Sequence, residues 1–271
     1  MNSLNADATR AGLGELVDSR LANLETFAAI DSTNSYLMQC DAPAPGWFRV
    51  VLTDNQTAGH GRHGRKWLSP PGSGLCLSVA YTFAQQPENI AALTLAIGLG
   101  IAEGLESLGA PGVQLKWPND LMADDGKLGG ILTEARSLPD GAISIVAGAG
   151  INIDLPAGLD IGSDLDRPQP VTDLAGYIGY VPPRERLAAC IIDRVCTTCV
   201  AYEVDGFPAF AERWSGRDWL HGRKLTVSAP GQQVAGVGAG IAEDGALLVD
   251  SGAGSVSRVT SGTVVVTDNR V

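Results

Sequence analysis

Residues 59–67 read Gly-His-Gly-Arg-His-Gly-Arg-Lys-Trp: three glycines, three permanent cations and two histidines in nine positions, in a chain of formal net charge −11. Glycines let a backbone approach a ligand and turn several N–H groups toward it. Arginines offer planar, permanently charged donors that match carboxylate and phosphate oxygens. Together these residue types can hold a small anion. Three further segments can share that task. Lys116-Trp117-Pro118-Asn119-Asp120 leaves a strand through a proline that ends the ladder, then presents a polar pair in a turn. Lys127-Leu128-Gly129-Gly130 sets a lysine beside two glycines that let a ligand reach the backbone. Gly148-Ala149-Gly150-Ile151-Asn152 is a strand end nearly stripped of side chains, a floor for a flat ligand with Asn152 to read a polar edge. Each segment has a plain alternative: glycine bulges, ordinary turn residues at Asn119 and Asp120, solvated charges at Lys116 and Lys127. Residue chemistry alone therefore reaches an anionic ligand in a cleft beside a sheet.

The elements that must position these residues are legible from spacing. Ser32-Thr33-Asn34 reads as an N-cap opening a short helix to about Cys40. Residues 47–54 and 74–83 read as strands flanking the glycine-arginine segment. Leu93, Ile97, Ile101, Leu105 and Leu108 recur at three or four within a helix over 90–108. Strands follow at 113–117, 127–136 and 142–153, turned by Asp124-Asp125-Gly126 and Asp140-Gly141. Long helices with hairpin-connected strands predict an α+β fold around a largely antiparallel or mixed sheet. Beyond about residue 216, five short strands lie between Pro230-Gly231, Asp244-Gly245 and Gly252-Ala253-Gly254. They predict a small closed or nearly closed β-barrel, with Arg213-Trp214-Ser215-Gly216 as the hinge before it.

Composition excludes whole classes. With 45% apolar and 18% charged residues the chain is globular. Its 30 acids against 19 bases argue against a general nucleic-acid partner. No unbroken run of ~18 apolar residues predicts a membrane span. The polar first twenty residues lack an apolar signal core, and five cysteines fit a reducing compartment, so a cytoplasmic location is expected. Cys196 and Cys199 form a C-x-x-C inside the helical segment 183–204. Without a second pair they read as helix-face residues and not a metal site.

In order, Asp31-Ser32-Thr33-Asn34, the segment Gln56 to Trp67, Lys116 to Asp120, Lys127 to Leu132 and Gly150-Ile151-Asn152 closely resemble the successive motifs of bacterial biotin protein ligases. The resemblance implies a class II aminoacyl-tRNA synthetase-like catalytic domain over 1–217 and an SH3-like domain over 218–271. It implies that biotin and ATP, with Mg²⁺, give biotinyl-5′-AMP, and that the biotinyl group then passes to a lysine of a biotin carboxyl carrier protein, as in acetyl-CoA carboxylase. By the same resemblance Ser32, Thr33, Asn34 and Gln56 bind biotin's ureido head. His60, Gly61 and Arg62 follow its carboxylate and the adenylate, and Lys127 touches both. Gly59, Arg65, Lys116 and Asn119 belong to the site, Gly130 and Gly148–Gly150 line ring and tail, Asn152 lies near adenine, and Trp67 covers the adenylate. Arg62 and Lys127 are the expected catalytic cations, and Asp120 is expected to orient or deprotonate the incoming lysine. No protein carboxylate cage for a metal is visible. Ligases of this family are often dimers, so a homodimer is expected among its partners. Two departures stand out. The family usually has arginine where this chain has His60, and only about 25 residues precede the first motif. The chain is therefore expected to lack the helix-turn-helix domain and repressor activity of some members. The rivals are a lipoate ligase or octanoyl transferase, which share the catalytic fold, and a non-catalytic biotin-binding module.

Overall fold

Alternation of side chains along a few strands frames the molecule. The computed structural model describes residues 4–139, 141–159, 170–229, 231–252 and 254–268. The predicted turn residues Asp140, Pro230 and Ala253 lie outside the described residues. In chain order come α1 (Ala6–Arg10), α2 (Glu15–Ser19), β1 (Leu21–Phe27), α3 (Thr33–Gln39), β2 (Phe48–Thr53) and β3 (Gly74–Phe83). Next are α4 (Leu93–Ser107), β4 (Gln114–Lys116), β5 (Asp120–Ala123), β6 (Gly126–Ser137) and β7 (Ile143–Asn152). The chain continues through α5 (Leu174–Ile178), α6 (Arg184–Asp205) and α7 (Pro208–Ser215). It ends with β8 (Lys224–Ala229), β9 (Gln232–Ile241), β10 (Leu247–Asp250), β11 (Val256–Val259) and β12 (Thr263–Asp268).

Seven strands form one mixed sheet in the order β1-β2-β3-β7-β6-β5-β4. Only β1 and β2 run parallel among its paired neighbours. Leu75, Leu77, Val79, Tyr81 and Phe83 of β3 point to one face, with Ile143, Ile145, Ala147, Ala149 and Ile151 of β7, and all are buried in the main core. Each such Leu or Ile contributes roughly 1.5–3 kcal/mol by leaving water. That core includes α4 and α6, which approach closely because Gly100 and Gly104 lack side chains. A Cβ at Gly100 would stand 2.5 Å from Thr198 Oγ1. The other parity, Cys76, Ser78 and Ala80 beside Val146, Gly148 and Gly150, faces α3 and the cleft described below.

Several sequence expectations need correction. By length and composition Ile90–Ser107 is apolar enough to cross a membrane although it holds no unbroken run of ~18 apolar residues; 67% of it is buried, and it is a core helix. Asp120 is not a turn residue, since it opens β5 and pairs with Lys116 and Gly130. Nor is Arg213–Ser215 a hinge. These residues finish α7, Trp214 is buried, and Gly216 caps the helix. The C-terminal strands form an antiparallel sheet in the order β11-β10-β9-β8-β12, and no β11–β12 pairing closes a ring among the described residues. Cys196 and Cys199 lie buried on α6, where burial pushes both thiols up, Cys199 to about 12.

Candidate functional site

The cleft face of the sheet, the start of α3, the glycine-arginine segment and one edge of β12 enclose a cavity of about 590 Å³. Register explains its floor. Gly130 pairs with Gly150, and Gly150 with Cys76, so three adjacent strands present little or no side chain at one level. Two protein side chains occupy that space. A Cβ at Gly150 would lie 2.4 Å from the Trp67 ring, and one at Gly148 2.2 Å from Asn34 Oδ1. Real Cβ contacts do not occur at such distances, so these glycines admit Trp67 and Asn34 onto the strand. What the bare strand floors first is therefore an indole and an amide.

The end of the cleft at α3 is lined by neutral, tightly bonded side chains. Ser32 caps α3, its Oγ accepting from Ser35 N–H. Gln56 Oε1 accepts from Thr33 N–H at 2.8 Å. Ser78 Oγ, fully buried, lies 2.6 Å from Asn34 Oδ1 and 2.7 Å from Thr33 Oγ1. The amide oxygen can only accept, so the single Ser78 proton goes to Asn34. Asn34 Nδ2 donates to Glu134 Oε2 at 2.8 Å.

The opposite end is charged. Residues 59–67 fold back on themselves as a finger: Trp67 N–H donates to Gly59 O, Gly61 N–H to Arg65 O, and His60 bridges to Lys66. Its tip turns through left-handed conformations at His63 (φ 57°) and Gly64 (φ 71°). Among the described residues the cleft is lined by Arg62, Arg65, Lys66, Lys116 and Lys127, against one carboxylate, Asp120. Lys127 Nζ stands 2.6 Å from Asp120 Oδ1 and 5.8 Å from the Trp67 ring centroid. Burial pulls Arg62 below its ordinary value, and neighbouring Arg65 adds to this while Asp120 opposes it. Burial also lowers Lys116, to about 8, despite the favourable Asp120. A bound anion would offset what burial and like-charge crowding cost these cations.

Sixteen of the seventeen site residues expected from sequence line this one cavity. Gly59 does not; it is buried at the finger's base, where a Cβ would meet Gln56 and Trp67 O below 3 Å. Asn119 pins its turn, donating from Nδ2 to Ile131 O. Asn152 spends its amide protons on Lys127 O and Thr172 O, leaving its carbonyl. Sequence reading missed Ser78, Glu134 and the Gly262–Val264 wall. Ser78 and Glu134 could have been found from strand parity, since both fall on the glycine face. The wall comes from a strand more than a hundred residues away, where Arg65 reaches Thr263 Oγ1 at 3.2 Å. Trp117 Nε1 donating to Gly245 O further ties the two sheets together.

Comparison with known proteins agrees with this geometry. Residues 26–152 match the family described as Biotin/lipoate A/B protein ligase family. The chain is 34% identical over 243 residues to the bifunctional ligase/repressor BirA of Escherichia coli, covering 88% of this chain and 71% of that protein. It is 32% identical over 248 residues to the biotin–[acetyl-CoA-carboxylase] ligase of Mycobacterium tuberculosis, covering 89% and 88%. The fold is that of a biotin protein ligase from Aquifex aeolicus in complex with biotin and ATP, with TM-score 0.75 at 24% identity, over 91% of this chain and all of that one. The chain thus belongs to the biotin/lipoate A/B protein ligase family, among its biotin protein ligases.

Proposed function

We propose that the cleft joins biotin to ATP as biotinyl-5′-AMP and then passes the biotinyl group to a lysine of a biotin carboxyl carrier protein. The observation that carries this reading is the five-cation, one-carboxylate end of a cleft in a chain of net charge −11. In the first step the substrate's own carboxylate oxygen attacks the α-phosphorus. The α–β anhydride bond breaks, and pyrophosphate leaves with its electron pair. No serine, cysteine or histidine nucleophile is needed. The obstacle is electrostatic, because two unit charges ~4 Å apart repel by about 4 kcal/mol at an effective dielectric of 20, and a triphosphate carries several. Arg62, Lys127 and the finger's N–H groups offset that repulsion and stabilise charge building on the α-phosphate. Mg²⁺ would arrive on the phosphates and neutralise them further. Among the described residues Asp120 is the single lining carboxylate and is already engaged by Lys127, which would leave Mg²⁺ to be held mainly through the phosphates.

In the second step a lysine amine attacks the acyl carbon and AMP leaves. Asp120 is the group in place to orient that amine and take its proton once Lys127 has turned to phosphate. Asp120→Ala should then slow biotinyl transfer at least tenfold more than adenylate formation, measured separately by single turnover. Equal slowing of both would contradict the role. Arg62→Gly should release the mixed anhydride and let it label nearby lysines on unrelated proteins. A wild-type adenylate half-life in that variant would count against Arg62 as its retainer.

Ser32, Thr33, Asn34 and Gln56 fit a ureido head, whose N–H and C=O groups need neutral partners. Trp67, lying over Gly130 and Gly150, offers a face for the adenylate, with Asn152 close by. The catalytic part, residues 1–217, is read as class II aminoacyl-tRNA synthetase-like and residues 218–271 as SH3-like. A cytoplasmic enzyme, dimeric in the manner of many relatives and without repressor activity, completes the reading, and the acidic charge weighs against operator binding. Biotin-dependent ATP–pyrophosphate exchange tests it. Exchange driven by biotin and not lipoate is expected, while exchange driven by lipoate, or none at all, would overturn it.

A further inference from the structure

Glu134 has no part in the reaction above, yet it touches both ends of the machinery. It sits on the cleft face of β6 opposite Val146, with its side chain 35% exposed. Its Oε2 accepts from Asn34 Nδ2 at 2.8 Å and lies 3.8 Å from His60 Nε2 on the finger. Asn34 is buried, and its Nδ2 also donates to Leu132 O at 3.2 Å. A carboxylate and a carbonyl can only accept, so together they fix which edge of the amide is NH₂. The amide oxygen is thereby turned to the Ser78 proton and to the cleft. Gly148 allows the amide to lie this close to β7. One carboxylate therefore orders a buried amide at the neutral end and faces a histidine of the charged finger.

We propose that Glu134 is a positioning residue: by accepting from Asn34 Nδ2 it sets the amide that meets the ligand, and the same oxygen faces His60 of the finger. This rests on the biotin reading.

The test is calorimetric titration of the full chain with biotin alone. Glu134→Ala should weaken binding roughly tenfold. Glu134→Gln, which can still accept from Asn34, should restore most of the affinity, a rescue that loss of packing alone would not predict. Wild-type affinity in Glu134→Ala, or no recovery in Glu134→Gln, would overturn the proposal alone. If Glu134→Ala does not fold by circular dichroism, Glu134→Lys, which can only donate, takes its place. Absence of biotin binding by wild type would overturn the functional reading and the proposal with it.

Discussion

The two ends of the cleft solve opposite problems. At the α3 end, Thr33, Asn34, Gln56 and Ser78 are neutral, and their polar atoms are largely matched to one another. At the finger end, among the described lining residues, five cations share one carboxylate, and burial works against Arg62 and Lys116. A buried polar group left without a partner costs ~1–3 kcal/mol, so a matched neutral network selects shape and hydrogen-bond pattern. Crowded cations cost stability until an anion arrives, so the second end selects charge. On the proposed reading, the contrast assigns recognition to one end and chemistry to the other.

That division can be broken from the charged end first. Lys127→Ala should lower kcat/KM for pyrophosphate exchange by ~10²–10³-fold while biotin affinity changes far less, since it removes a stabiliser of developing charge. A comparable loss in biotin binding would dissolve the distinction. Ser78→Ala attacks the neutral end. It leaves Asn34 Oδ1 short of its donor and should weaken biotin roughly tenfold in titration, with KM for ATP little moved. Smallest is a pH effect. Lys116 loses its proton as pH rises through about 8, so kcat/KM for ATP should fall above that value, and Lys116→Arg should flatten the limb. For folding the sign differs. The unfolded chain keeps this proton up to the ordinary lysine value of 10.5, so the Lys116 contribution makes stability rise with pH between about 8 and 10.5.

Much of this was readable before the structure. The helix over 93–107, the strands of the bare floor and the capped start of α3 follow from period and capping, and sixteen of the residues singled out by motif line one cavity. What escaped was set by long-range pairing. β1 has weak alternation and is held at the sheet edge by β2, and Asp120 becomes a strand residue because Lys116 and Gly130 pair with it. The glycines of β7 announced close approach but not by what, because Trp67 and Asn34 arrive from distant segments. Residues that look like a flexible connection around Trp214 are a packed helix end, since indole burial outweighs the glycine that follows.

The most direct measurement is the mass of a biotin carboxyl carrier domain after incubation with this protein, biotin, ATP and Mg²⁺. The two-step reading predicts the gain of one biotinyl group on a single lysine, dependent on both biotin and ATP. An unmodified carrier, or modification spread over many lysines by the wild-type protein, would contradict it.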